Sequence, residues 1–129
     1  MHLLIAIFHI ICVVPLFLYV GFQRAATPEW LYNVLYGLGL LLLVFHGYKA
    51  IVRIYAKSGA AWINLFHAFL IAPLLLWIGF HGKKTGRPYY ELMLIAGFGA
   101  LGYHMKTIGT IVHASTKSAD LRKSVETTE

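Results

Sequence analysis

Four histidines carry the chemistry most readily read from this sequence: His9, His46, His67 and His104. Each stands inside a long apolar run, where an ionisable side chain is costly and usually faces a cavity, a partner or a ligand. Neutral imidazole is a good ligand for Fe, Cu, Zn or Ni, and it ligates in a dry interior without the burial cost of a carboxylate. Two chemistries fit. In the first, a pair such as His9 with His67, or His46 with His104, clamps a b-type haem edge-on between helices. Lys49, Arg53 and Lys106 on the nearer boundary would then pair with its propionates, and Gly37, Gly39, Gly47, Gly97, Gly99 and Gly102 would make room for the macrocycle. In the second, all four histidines bind one transition metal ion. No carboxylate lies close in sequence, so support for the ligands would come from Asn64, Tyr48, Tyr103, Thr107 or backbone carbonyls. The expected cofactor is haem b or a transition metal ion, and the expected role is electron transfer.

Other classes compete with that expectation. Membrane helices use histidine as interhelical hydrogen-bonding glue worth about 0.6 kcal/mol, which suffices for one histidine and less well for four. The histidines could instead relay protons, conduct ions or serve a small solute, or the protein could be purely structural. A cofactor predicts colour or bound metal, conduction predicts pH-dependent flux lost on His→Ala, and a structural role predicts neither. No P-loop, HExxH, catalytic triad or paired-carboxylate motif occurs, so hydrolase and phosphoryl chemistry are not argued.

The elements that must position these residues follow from composition. Of 129 residues, 59% are hydrophobic and 12% charged, with a mean hydropathy of +0.69, which is too apolar for an ordinary soluble domain. Four apolar runs, about 3–22, 31–55, 61–81 and 89–113, are long enough to cross a core of roughly 30 Å. Runs of that length exclude a transmembrane barrel. Short loops make successive helices antiparallel neighbours. The expected fold is therefore an all-α, up-down, four-helix transmembrane bundle over 1–114, with a polar, flexible tail over 115–129. Thr27 is placed to cap and Pro28 to open the second helix, and Lys57-Ser58-Gly59 to close it.

A repeat accounts for the histidine spacing. FHIICVVPLFLYVGF at 8–22 and FHAFLIAPLLLWIGF at 66–80 share F-H-x5-P-L-x-L-x2-G-F. Sliding residues 1–58 onto 59–116 also pairs Thr27 with Thr85, Tyr32 with Tyr90, Gly39 with Gly97 and His46 with His104. An offset of 60 would instead align Pro28 with Pro88, and Gly37 and Gly39 with Gly97 and Gly99, but it loses the His46/His104 match. Two helices per repeat make the halves parallel, related by a pseudo-two-fold axis along the membrane normal. All four imidazoles then fall in one layer roughly 9–14 Å below one boundary. Pro15 and Pro73 lack an N–H, so each should free a carbonyl, that of Ile11 or Phe69, and bend its helix.

Both termini lie on one side, read as cytoplasmic because Lys49, Arg53 and Lys106 snorkel that way. The net charge of +6 suits a lipid bilayer with anionic headgroups, and no nucleic-acid motif is present. The Gly37, Gly39, Gly97 and Gly99 faces suggest a homodimer. Cys12 is the only cysteine and reads as a small packing residue.

Overall fold

The computed structural model describes residues 2–126, and no strand occurs among them. Six α-helical segments run in chain order: α1 His2–Phe8, α2 Val14–Gln23, α3 Glu29–Tyr55, α4 Ala61–Phe66, α5 Ala72–His81 and α6 Arg87–Glu126. A π-helical turn, His9–Val13, joins α1 to α2, and a second, His67–Ile71, joins α4 to α5. Three continuous helices are long and apolar enough to cross a membrane: Leu3–Ala26, Glu29–Tyr55 and Ala61–Lys84. α6 exceeds the length required, but Tyr103, His104, Lys106 and Thr107 dilute its apolar stretch.

α6 does not stop near residue 113, where its hydrophobicity fades. It runs on as one helix of 40 residues, about 60 Å by its rise, so a core of roughly 30 Å would hold only part of it. Along the Ser/Thr-rich stretch the hydroxyls bond back to the helix that carries them. Ser115, Thr116 and Ser118 donate to the carbonyls of Ile111, Val112 and Ala114 at 2.9–3.0 Å. Of the expected tail, residues 127–129 lie outside the described residues.

The two prolines bulge their helices. In each π turn the closing bond spans five residues: Val14 N–H to His9 O, and Ala72 N–H to His67 O. The wider turn shifts the hydrogen-bond ladder so that each proline falls in the first turn of the following α segment. There its missing N–H costs little. Both π turns begin on a histidine, 58 residues apart.

The chain forms two compact units, Met1–Leu18 with Gly97–Glu129, and Tyr19–Ala96. In the Tyr19–Ala96 unit, α3 packs along α5 around Leu35, Leu75 and Ile78, all fully buried. Glycines let the backbones approach. A Cβ on Gly79 would lie 2.6 Å from Tyr36 N and 2.7 Å from Tyr32 O, and one on Gly39 would lie 2.8 Å from Leu76 Cγ. In the same unit a Cβ on Gly21 would lie 2.6 Å from the Leu94 side chain. In the other unit a Cβ on Gly97 would meet Leu18 at 3.0 Å and Phe17 at 3.2 Å.

The turns in the Tyr19–Ala96 unit recur with the same interval of 58. The 3-10 turns Arg24–Ala26 and Gly82–Lys84 both open in the left-handed region, with φ of 51° at Arg24 and 54° at Gly82. Thr27 N–H bonds to Arg24 O at 3.1 Å, and Thr85 N–H to Gly82 O at 3.0 Å. Tyr32 Oη donates to Arg24 O at 3.0 Å, Tyr90 Oη donates to Gly82 O at 3.2 Å, and the two phenols meet at 3.1 Å. An interval of 60 pairs none of these features. Thr27 does not cap α3; it is buried, its Oγ1 has no partner among the described residues, and Pro28 precedes the helix without a side-chain cap. α3 ends with Lys57, not Gly59, in the left-handed conformation, and Ser58 N–H reaches back to Arg53 O at 2.9 Å.

Candidate functional site

Within the two units the four histidines form two pairs. In the unit of residues 1–18 and 97–129, the rings of His9 and His104 lie 4.3 Å apart, tilted by 31°. In the Tyr19–Ala96 unit, His46 and His67 stack at 4.5 Å and 14°. The interval of 58 maps His9 onto His67 and His46 onto His104, so each pair is the counterpart of the other. These ring contacts join partners other than the diagonal ones, His9 with His67 or His46 with His104, that the haem expectation used. All four side chains are half-buried.

The local fold sets the state of each ring. His9 Nδ1 lies 2.8 Å from Ile5 O, and His67 Nδ1 lies 2.7 Å from Ile63 O, one turn back on the same helix. A carbonyl oxygen only accepts, so the proton in each neutral ring sits on Nδ1 and the lone pair on Nε2. His46 Nδ1 meets Asn64 Oδ1 at 3.1 Å. Asn64 Nδ2 donates to Ala60 O at 3.4 Å, which fixes the amide orientation, so His46 also donates from Nδ1. Three of the four histidines therefore present an unprotonated Nε2. His81 shows that the backbone bond alone does not define a site. Its Nδ1 bonds Trp77 O at 2.9 Å and its ring stacks on Trp77 at 4.0 Å, with no histidine ring against it among the described residues.

An aromatic ring precedes every member of the set. Phe8, Phe45, Phe66 and Tyr103 stand edge-to-face on His9, His46, His67 and His104, with centroids 5.2–5.8 Å apart and interplanar angles of 80–89°. All four are exposed. The aromatic-His dipeptide occurs five times, and Phe80 stands edge-to-face on His81 in the same way at 5.3 Å and 77°, so the dipeptide alone does not single out these four.

The cations stand differently from the expected propionate clamp. Arg53 Nη1 donates to Ala60 O at 3.2 Å, closing the turn between α3 and α4. Lys49 Nζ lies 6.0 Å from the Phe45 ring centre, and Lys106 is exposed beside Tyr103 and Thr107. Of the proposed supporting residues, Asn64 reaches a histidine, whereas Thr107 Oγ1 bonds back to Tyr103 O at 3.0 Å. Gly39 and Gly97 are already packed against neighbours in their own units. Of the expected dimer faces, Gly37 and Gly99 remain open, with nothing within 4 Å of an added Cβ.

Among the described residues, no three or more His, Cys, Asp or Glu side chains gather closely enough to hold one metal ion. What the arrangement offers is two double-imidazole sites, each with its donors at the ring edges. No family model, curated protein or solved structure matches the chain.

Proposed function

We propose that this is a multi-pass membrane protein, an up-down four-helix bundle of two parallel repeats, whose histidine pairs bind haem iron or another transition metal ion for electron transfer. The observation that supports this most directly is the tautomer. With Nδ1–H of His9, His46 and His67 donated to oxygen acceptors, each neutral ring carries its lone pair on Nε2, the atom type through which imidazole ligates iron, copper or zinc.

Ring geometry narrows the mode of binding. The lone pair of Nε2 lies in the ring plane, so an ion between faces 4.3–4.5 Å apart would meet π clouds and no donor. Ligation must use the ring edges. A bound iron or copper would supply one-electron redox chemistry. The chain supplies the imidazole donors, holds their protons away from the metal edge and excludes water with apolar helix.

The same bonds weigh against a proton wire. Nδ1–H of His9 and His67 is given to a carbonyl of its own helix, so a relay through these rings would have to break those bonds.

The test is a reduced-minus-oxidised absorption spectrum, with metal analysis on the same sample, of protein purified from membranes supplied with haem precursor and iron. A Soret band with sharpened reduced α-bands, or a stoichiometric transition metal, is expected. It should be reduced in His9→Ala/His104→Ala and in His46→Ala/His67→Ala, and abolished in the fourfold variant. A folded, colourless and metal-free protein would overturn the proposal.

A further inference from the structure

We infer that the cleft between the start of α3 and the turn that joins α5 to α6 binds the phosphate of an anionic phospholipid headgroup through Lys83 and Lys84. This rests on the reading of the chain as a membrane protein and is independent of the four histidines inside the helices. The cleft lies wholly in the Tyr19–Ala96 unit and is open to the surface, with a volume of about 460 Å³. It is lined by Glu29, Tyr32, Asn33, His81, Lys83 and Lys84, and the remaining lining residues, Gly79 and Gly82, add no side chain. Asn33, Lys83 and Lys84 are exposed, so two ammonium groups and an amide can turn toward one oxyanion. Trp30, beside Glu29, and Trp77, one turn before His81, are 64% and 43% exposed. Exposed indoles at the end of an apolar helix mark headgroup depth, where a phospholipid presents its phosphate.

The arrangement of charge singles out this cleft. Lys83 Nζ lies 3.2 Å from Glu29 Oε1, and the two side chains are 55% and 81% exposed. A pair so exposed contributes little to stability, so Lys83 can exchange the carboxylate for a phosphate at small cost. Lys84 takes part in neither ion pair of this region, Lys83–Glu29 or Arg87–Glu91. At the 58-residue interval the other turn carries Ala25-Ala26 in the same 3-10 geometry, so the two lysines are not there to shape the backbone. Arg24, the exposed cation of that other turn, does not line the cleft. Each lysine near an anionic lipid surface strengthens binding about 5-fold, whereas the Glu29 carboxylate opposes it and holds one of the two lysines.

The test uses the full chain in detergent, with phosphatidylglycerol or phosphatidylcholine of the same acyl chains added and the bound lipids counted by native mass spectrometry. One phosphatidylglycerol should bind ahead of phosphatidylcholine. Lys83→Ala and Lys84→Ala should each weaken it about 5-fold, and Lys83→Arg/Lys84→Arg, which keeps both charges, should retain it. Arg24→Ala removes a cation from the adjoining turn and should cost distinctly less. Glu29→Gln should tighten binding, because Lys83 is then released to the phosphate. Equal binding of the two lipids, a loss in Arg24→Ala as large as that in Lys84→Ala, or weaker binding in Glu29→Gln overturns the site. Displacement of phosphatidylglycerol by equimolar inorganic phosphate overturns the assignment to a lipid. Extraction of the chain from membranes by alkaline carbonate overturns the membrane reading itself, which none of the lipid outcomes does.

Discussion

The His9/His104 pair and the His46/His67 pair occupy equivalent places in the repeat, and the second is tied to the buried amide of Asn64, whose counterpart in the first repeat is Ala6. Features that the backbone needs are written twice: the histidine that opens each π turn, the proline six residues on, the left-handed residue of each 3-10 turn, and the glycine that admits a neighbouring helix. Other features are written once: at the 58-residue interval Asn64 corresponds to Ala6, Lys83-Lys84 to Ala25-Ala26, and Arg53 to Ile111. The turn around Lys83 and Lys84 has the geometry of the turn around Ala25 and Ala26, so the fold does not require those lysines. The duplicated prolines, turn residues and glycines report on folding, and the divergent positions mark where the two halves differ.

The largest test of that division concerns Gly79 and Gly21. Both are close-approach glycines, but a methyl on Gly79 would meet backbone of α3 at 2.6–2.8 Å, whereas one on Gly21 would meet the Leu94 side chain at 2.6 Å and backbone only at the Tyr90 oxygen, 3.2 Å away. Leu94 can change rotamer; a helix backbone must move as a body. Gly79→Ala should cost about 1–3 kcal/mol and Gly21→Ala under about 1 kcal/mol. Denaturant unfolding in mild detergent, followed by circular dichroism, measures both. Equal losses would mean that the two crossings are equally tight and that the difference in what lines them has no consequence.

Much of the helical organisation was legible because long apolar runs and the H, P and G matches survive in one dimension. The turns were placed well by Gly, Pro and Lys clusters. The end of α6 was not, because hydropathy reports the solvent a helix suits and says nothing of where its hydrogen bonds stop. The four histidines were legible as a set. Their partners were not: periodicity in helices that are apolar all round cannot fix rotation, so the choice between diagonal and neighbouring partners was open. The π turns were hidden for a related reason. Proline announces a disturbed ladder, but whether the helix kinks or absorbs an extra residue depends on the packing of the turn before it. Asn64 was visible as a possible support, and only the fold shows that it reaches His46.

The tyrosines offer a sharper test, since here both copies meet. Tyr32 and Tyr90 are nearly fully buried, and their phenols make three contacts with two protons to share. Each phenol can donate once, so one contact is always held without its own proton. Removing one hydroxyl, Tyr32→Phe or Tyr90→Phe, should cost about 0.5–1.5 kcal/mol. The double variant should cost less than the sum of the singles by at least about 0.5 kcal/mol, because the shared contact is lost only once. Additive losses in the same unfolding measurement would show that the phenol pair contributes nothing and that each tyrosine acts only on its own turn.

The smallest expected effect asks whether the two turns are equally strained. Arg24 and Gly82 adopt nearly the same left-handed φ, but the Cβ of Arg24 crowds the following carbonyl and Gly82 has none. Arg24→Gly removes that crowding and also loosens the unfolded chain, so the two terms partly cancel and the net change should be under about 1 kcal/mol, in the stabilising direction. Gly82→Ala acts with the opposite sign, since it adds the left-handed penalty while its Cβ would be 3.8 Å or more from Tyr32. That distance is ordinary contact, so the loss of about 1 kcal/mol can be assigned to backbone conformation. If Gly82→Ala were neutral, the second turn would be able to relax out of the left-handed region, and the match between the two turns would be a preference of glycine and not a demand of the repeat.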